Sequence, residues 1–250
     1  MHLSIGLQSE YVLSLFGLRV TNTMLTSLLA TVVLFFIALA FQKQIEKPKS
    51  FIIRGVMLIL RQWLTLINQI INDEKLARDV FPLIATFFLF IFASNLLALI
   101  PGFLGSFYVV GAGGVRHSVL RSPNSDLTTT LALAIISVGA TQYFSMRKLG
   151  TAGFLKRFFN FINPLAFIIG FFELLGEFVK IISFSFRLFG NMFAGEVLLL
   201  VAAFFLPYFV PIPFMILELF VGLIQAFIFA VLTLSFIARS TVSVEKGGAL

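Results

Sequence analysis

The chain contains no cysteine and only two histidines, and charged residues occupy only 12% of its 250 positions. The absence of cysteine excludes disulfide scaffolds, thiolate zinc sites and cysteine nucleophiles. His2 lies at the start of the chain and His117 in a glycine-rich loop, so neither a histidine triad nor a di-histidine metal centre is expected. The sequence has no GxSxG or HExxH motif, which argues against an integral-membrane hydrolase. We therefore expect no catalytic residue, no metal and no cofactor.

Apolar residues are abundant instead: 59% of the chain is hydrophobic, with 33 phenylalanines. The net charge is +7, but the cations are scattered between long apolar runs and form no continuous basic face, so they indicate membrane topology and not nucleic-acid binding. A membrane span needs about 20 residues. The composition therefore predicts a single membrane domain of the all-α class, with about five to six helices.

Uncharged runs mark three ordinary spans. The first occupies 23–41 and follows an N-terminal segment, 1–22. The other two, 80–100 and 127–146, form a two-span hairpin over 80–146 that is joined by a glycine-rich loop, 102–125. Each run is long enough to cross the hydrocarbon layer.

The segment 50–75 has a different pattern, because its polar residues recur at helical spacing on one side. They are Arg54, Arg61, Asn68 and Asn72. The pattern is typical of an amphipathic helix that lies on the membrane surface. Trp63, the only tryptophan, is then expected in the headgroup layer.

The distribution of cations predicts the orientation. Seven Lys and Arg residues lie in 42–78 and four in 147–157, whereas the loop 102–125 has only Arg116 and Arg121. Cytoplasmic loops carry the excess of positive charge. We therefore expect the N-terminus and the loop 102–125 to face outward and the C-terminus to face the cytoplasm.

The last third of the chain, 163–239, is predicted to be an inclined helical hairpin. A helix over 163–205 would extend for about 64 Å, roughly twice the hydrocarbon thickness, so it must tilt, kink or break. Three prolines at 207, 211 and 213 predict a turn, and the final helix follows it.

Six charged residues lie inside this apolar hairpin, before Arg239 at its end. They are Glu173, Glu177, Lys180, Arg187, Glu196 and Glu218. Each costs about 2.5 kcal/mol or more at a bilayer centre, so these side chains must face protein or water. Glu173, Glu177, Lys180, Arg187 and Asn191 fall near one line on a helix, whereas Glu196 points about 180° away from Arg187.

The possible partners of these residues differ. Glu177 and Lys180, at i and i+3, can form a purely structural ion pair, and this alternative stays open. Arg187 has no acid at i±3 or i±4, so its counter-ion must come from another helix or another subunit. Glu218 and Gln225 share a face of the final helix, where Gln225 has either a structural or a functional role.

Four sequence blocks resemble subunit a of the bacterial F-type ATP synthase. They are FPLIATFFLFIFASNLLALIPG (81–102), PNSDLTTTLALA (123–134), SFRLFGNMFAGE (185–196) and QAFIFAVLTLSFI (225–237). The resemblance implies that Arg187 is the essential arginine that faces a rotating ring of c subunits. It further implies that Glu196 is the acid of a half-channel with Asn191 as its neighbouring polar residue, and that Gln225 is the glutamine of the last helix. Glu218 stands where some relatives have histidine.

The resemblance also assigns supporting positions. Lys180 and Glu173 match polar positions upstream of the arginine, and Asp126 matches the acid that opens the helix after the outward loop. Lys180-Ile181 replaces the Lys-Pro pair that is common in the family. We expect Glu196, Glu218 and Gln225 on the outward access path, and the stripe of Glu173, Glu177 and Lys180 at the inward exit.

The implied function is that of a non-catalytic, proton-conducting stator in a bacterial plasma membrane. Its implied partners are the c-subunit ring, the peripheral-stalk b subunits, the F1 ATPase sector indirectly, and lipid. The alternative is a secondary ion-coupled transporter that acts alone, with charges between inverted repeats. The first three spans carry no charged residue, so the sequence gives no sign of such a repeat.

Overall fold

The computed structural model describes residues 11–15, 18–44, 50–71, 73–99, 108–110, 116–118, 121–158, 164–205 and 209–241. These residues form six α-helices: α1 (Asn22–Lys43), α2 (Phe51–Ile70), α3 (Glu74–Leu99), α4 (Leu127–Phe158), α5 (Pro164–Phe205) and α6 (Pro211–Ser240). All six are long and apolar enough to cross a membrane. The predicted all-α membrane fold is therefore confirmed. The start of the predicted N-terminal segment, 1–10, and the end of the C-terminal tail, 242–250, lie outside the described residues.

Two short antiparallel ribbons accompany the helices. β1 (Tyr11–Leu15) pairs with β2 (Leu18–Thr21), which leads directly into α1. β3 (Tyr108–Val110) pairs with β4 (Arg116–Ser118) within the loop 102–125. The sequence analysis did not predict these ribbons, because strands this short contain too few residues to show a period-two pattern.

Helix α6 lies at the centre of the packing and contacts α3, α4 and α5. Ile91 on α3, Leu188 on α5 and Leu234 on α6 are completely shielded from solvent. The ring of Phe229 on α6 has its centroid 5.1 Å from that of Phe184 on α5. Because one side of α5 packs against α4 and α6, its opposite side remains on the outer surface of the chain.

Polar side chains link the buried helix faces. Three buried hydrogen bonds hold α4 to its neighbours: Thr130 to Ser185 (3.2 Å), Ser137 to Thr233 (2.7 Å) and the Ser145 hydroxyl to the Ser240 carbonyl (2.7 Å). In a membrane, small polar residues allow helices to approach closely and bond across the interface. These contacts fix α5 and α6, which carry the candidate site, against a common support.

Helix α1 contacts the rest of the chain mainly through its N-terminal end. Its four buried residues are Asn22, Thr23, Thr26 and Ala30. The Thr21 hydroxyl caps the helix by accepting a hydrogen bond from the Met24 N–H at 3.3 Å. The remaining apolar surface of α1 is largely exposed, as expected for a helix that contacts lipid or another chain.

Trp63 of α2 packs against other helices, and its side chain is only 4% exposed. Its ring centroid lies 5.2 Å from that of Phe88 on α3 and 5.4 Å from that of Phe227 on α6. A large aromatic ring that is buried between two helices contributes to their packing. The interfacial position of segment 50–75 and the headgroup depth of Trp63 stay predictions.

Helix α5 is continuous over 42 residues. At 1.5 Å per residue it extends for about 63 Å, roughly twice the hydrocarbon thickness, and a helix of this length must be inclined in the membrane. The preceding helix, α4, is not continuous in this way. It kinks at Gly150, where φ is 75° and ψ is 162°. Glycine adopts a positive φ without the steric cost that a Cβ imposes.

Two ion pairs tie the start of α3 to α4 on the cation-rich side of the chain. Lys148 Nζ lies 3.0 Å from Asp73 Oδ2, and Arg147 Nη1 lies 2.8 Å from Asp79 Oδ2. The hydrogen bond from Lys148, followed by the backbone N–H of Leu76, holds the pKa of Asp73 below its ordinary value. Asp73 precedes α3 and lies outside the candidate spans.

Candidate functional site

Arg187 lies on the outer surface of α5. Its side chain is exposed, and its Nη2 donates a hydrogen bond of 3.4 Å to the Ser183 hydroxyl one turn earlier. No carboxylate among the described residues forms an ion pair with it. The neighbouring side chains of Ile182 and Phe186 are also exposed, at 55% and 57%. A guanidinium on such an apolar surface is costly in lipid unless it faces protein or water.

A polar contact leads inward from this surface. Asn191 lies one turn after Arg187 and is exposed, and its Nδ2 donates a 2.6 Å hydrogen bond to Oε1 of Gln225 on α6. Gln225 is buried, and its Nε2 has no hydrogen-bond partner within the described ranges. The amide pair therefore connects the exposed face of α5 with the α5–α6 interface.

Glu218 lies in the same interface, two turns before Gln225 on α6. Its side chain is buried, and its Oε2 has no hydrogen-bond partner in the part of the chain that the structure describes. The carboxyl group lies directly over Gly195 of α5. A Cβ added to Gly195 would lie only 2.6 Å from Glu218 Oε1. Glycine at this position therefore provides the space that the carboxyl group occupies.

Glu196, the next residue along α5, has a cationic partner. Nε of Arg121 lies 3.1 Å from its Oε1 and 3.2 Å from its Oε2. Both side chains are nearly buried, with exposed fractions of 11% for Arg121 and 12% for Glu196. Glu196 therefore faces the segment before α4, whereas Arg187 faces the outer surface, as the helical angle between them predicted.

Asp126 lies at the start of α4, where its carboxylate has a structural role. Its Oδ1 accepts a 3.0 Å hydrogen bond from the Thr128 N–H, and its Oδ2 accepts one of 3.0 Å from the Thr23 hydroxyl on α1. An acid here satisfies a free N–H of the first helical turn and is favoured by the helix dipole. Asp126 thus joins α1 to α4 at the end where Arg121 lies.

A second polar group lies two turns before Arg187 on α5. Lys180 Nζ is 2.7 Å from Glu177 Oε1 and 4.6 Å from the Phe236 ring centroid on α6. Glu177 is buried, and its Oε2 has no partner among the described atoms, while Glu173 is half-buried. The i, i+3 pairing that the sequence allowed is therefore formed, and Glu177 turns inward from the line predicted for this stripe.

A cavity of about 460 Å³ between α4 and α5 adjoins Glu177. Gln142 of α4 lines it together with Leu174, Phe178 and Ile181. Neither Oε1 nor Nε2 of Gln142 has a hydrogen-bond partner within the described residues. The accessible wall of the cavity is formed by apolar atoms, and the polar atoms of Gln142 are themselves buried, so the cavity does not present the polar partners that an ordered water needs.

The structure brings together Asn191 with Gln225 and Glu177 with Lys180, and it places the Glu218 carboxyl group over Gly195, the residue before Glu196. Sequence reasoning missed Arg121 and Gln142 as neighbours of the acids. Arg121 was noted only as a topology signal, although it was one of two cations in the loop 102–125. Its partner lies 75 residues away, and no local periodicity could identify it.

Comparison with known proteins agrees with the resemblance. The family model described as ATP synthase A chain matches residues 23–238. ATP synthase subunit a of Moorella thermoacetica is 36% identical over 197 residues, which cover 76% of this chain and 78% of the relative. The protein of the same name from Helicobacter pylori is 32% identical over 221 residues, covering 87% of this chain and 88% of the relative. The chain therefore belongs to the ATP synthase A chain family.

Proposed function

We propose that this chain is the proton-conducting stator of an F-type ATP synthase, in which protons reach and leave a rotating c-subunit ring through two offset half-channels. Its family membership and its six long apolar helices support a multi-pass membrane component of the ATP synthase complex, and we infer that it is not catalytic by itself. The observation that carries the finer proposal is the exposed guanidinium of Arg187, which has no acidic partner in the described part of the chain.

The physical role of Arg187 follows from its surroundings. A ring carboxylate that faces lipid is favoured in its neutral form, because desolvation penalises charge. Beside a guanidinium the charged form is favoured instead. Each ring carboxylate therefore releases its proton as it approaches Arg187 and binds another after leaving it. The fixed cation also blocks direct passage of protons between the two half-channels.

The polar groups of the α5–α6 interface support an outward access path. Glu196 and Glu218 lie at one level, and the Asn191–Gln225 hydrogen bond lies between them and the surface of Arg187. Unpartnered buried atoms on Glu218 and Gln225 suit a path that also contains water. Asp126 supports this region by holding α1 to α4.

The inward exit is proposed on the opposite side of Arg187 along α5. Glu177 and Lys180 lie there with Glu173 on the preceding turn, and the α4–α5 cavity with Gln142 adjoins them. The cation-rich segments 42–78 and 147–157 place this side in the cytoplasm by the positive-inside rule. The N-terminus then faces outward and the C-terminus faces the cytoplasm of a bacterium.

The proposed partners cover the surfaces that the chain leaves open. The exposed apolar face of α5 around Arg187 suits the ring of c subunits, whereas the exposed surface of α1 suits lipid or the peripheral-stalk b subunits. The F1 ATPase sector is reached through these subunits. Each charge that crosses 100 mV releases about 2.3 kcal/mol, so several crossings must be summed by rotation to drive one phosphorylation.

The proposal is tested by Arg187→Ala in the whole complex, reconstituted in vesicles. We expect the complex to assemble and ATP-driven acidification of the vesicles to be lost, because the ring carboxylates no longer meet a cation. Arg61→Ala, which removes an exposed cation from α2, is the matched control and should pump like the wild type. Normal pumping by the Arg187→Ala complex would refute the mechanism, and pumping by the purified chain alone would favour a transporter.

A further inference from the structure

The two acids on the outward side differ in their contacts although they lie at the same level. Both oxygens of Glu196 are within 3.2 Å of Arg121 Nε. Glu218 forms no ion pair among the described residues, and its buried Oε2 has no hydrogen-bond partner there. Within the described residues, one carboxylate is therefore held in place and the other keeps an oxygen without a partner.

Arg121 is itself fixed by its backbone. Its N–H donates a 3.3 Å hydrogen bond to the hydroxyl of Thr26 on α1. The next residues form a single-turn 3₁₀ helix, Pro123–Ser125, which is buried. Within it, Asn124 Nδ2 donates a 2.6 Å hydrogen bond to Asn95 Oδ1 on α3. The guanidinium therefore approaches Glu196 from a segment that α1 and α3 both hold.

This geometry affects proton transfer. A proton that binds to Glu196 must compete with the guanidinium for the carboxylate oxygens, and the arginine cannot give up its own charge. In contrast, a proton can bind to the free oxygen of Glu218 without breaking any contact that the structure shows. Gly195 leaves this carboxyl group enough space, and Glu218 shares its helix face with Gln225, which leads toward Arg187.

We propose that Arg121 is a positioning residue that holds Glu196 in a fixed ion pair and thereby makes Glu218 the group that exchanges protons on the outward side. Glu196 then anchors the wall of the access path and does not itself relay protons. This inference rests on the proposed function, since it assigns different roles to the two acids of one proposed half-channel.

The decisive experiment measures the initial rate of ATP-driven acidification per assembled complex in vesicles. We expect Glu218→Gln to lower this rate about tenfold or more, as expected for removal of a positioned proton carrier. Adding Arg121→Gln to Glu218→Gln should raise the rate again, because Glu196 is released from its ion pair and takes over proton exchange. Adding Glu196→Gln to this double variant should abolish the recovery.

The control replaces another paired arginine. Arg147 forms an ion pair with Asp79 on the cation-rich side, so Arg147→Gln combined with Glu218→Gln should give no recovery. If Arg121 is only a structural clamp, Arg121→Gln will leave the rate of the Glu218→Gln complex unchanged or lower it further. Either result would overturn the proposal, and so would a recovery that persists after Glu196→Gln.

A second comparison does not depend on assembly of the Arg121 variants. Glu218→Gln should lose more of the pumping rate than Glu196→Gln, and an equal or reversed order would overturn the division of roles. Failure of the proposed function is distinguishable, because Arg187→Ala would then pump normally in the same preparation. Failure of this inference alone leaves the loss of pumping by Arg187→Ala intact.

Discussion

Gly195→Ala tests the position of the Glu218 carboxyl group with a single added methyl. The new Cβ would lie 2.6 Å from Glu218 Oε1 and 2.7 Å from its Cδ. Because non-bonded carbon and oxygen atoms prefer separations above roughly 3.4 Å, the carboxyl group must retreat by about 1 Å. The displaced side chain costs about 1 kcal/mol through an unfavourable rotamer, while alanine favours the helix by about the same amount. We therefore expect the complex to assemble normally.

The effect on proton transfer should be larger than the effect on stability. A misplacement of about 1 Å in a reacting group can cost up to about a hundredfold in rate, so we expect at least a tenfold loss of ATP-driven acidification. Gly139→Ala is the matched control, because a Cβ at Gly139 meets nothing within 4 Å. Glu218→Asp should partly restore pumping in the Gly195→Ala background, since the shorter side chain avoids the new methyl. Unchanged pumping by Gly195→Ala would refute this account of the Glu218 site.

Two further predictions concern stability, measured as thermal dissociation of the detergent-solubilised complex. Trp63→Ala should cost about 3 kcal/mol, because it empties a buried site between α3 and α6. Trp63→Phe should lower the stability much less. Similar stability of the two variants would contradict the burial of the Trp63 ring between α3 and α6. Lys148 lowers the pKa of Asp73, so the stabilisation of wild type over Asp73→Asn should persist at neutral pH. This stabilisation should disappear as the pH falls below about 4, because the Asp73 carboxylate is then protonated. A difference in stability that grows on acidification would contradict the lowered pKa of Asp73.

Much of the fold could be predicted because membrane helices are encoded locally. Each span is a continuous apolar run whose length is set by the hydrocarbon layer. The sequence also predicted that Arg187 has no acidic partner within its own helix, since the residues at i±3 and i±4 are not acidic. The i, i+3 spacing of Glu177 and Lys180 allowed the ion pair that the structure forms at 2.7 Å.

Contacts between distant segments could not be predicted in this way. Nothing in the sequence around Arg121 indicates that it reaches Glu196, because the pair depends on the packing of α5 against the segment before α4. Trp63 shows the same limit. The sequence around it indicates an amphipathic helix, but the contacts of its ring with Phe88 and Phe227 depend on how α2 packs against α3 and α6.

The sequence by itself determined that this chain is a set of membrane helices and that a permanently charged arginine lies in an apolar segment without a local acid. Both properties depend on residues within a few turns of one another, where helical spacing fixes the geometry. Only the tertiary structure decided which carboxylates have partners, because a partner from another helix depends on how the helices pack. Arg121 therefore forms an ion pair with Glu196, while an oxygen of Glu218, over Gly195, has no hydrogen-bond partner among the residues that the structure describes.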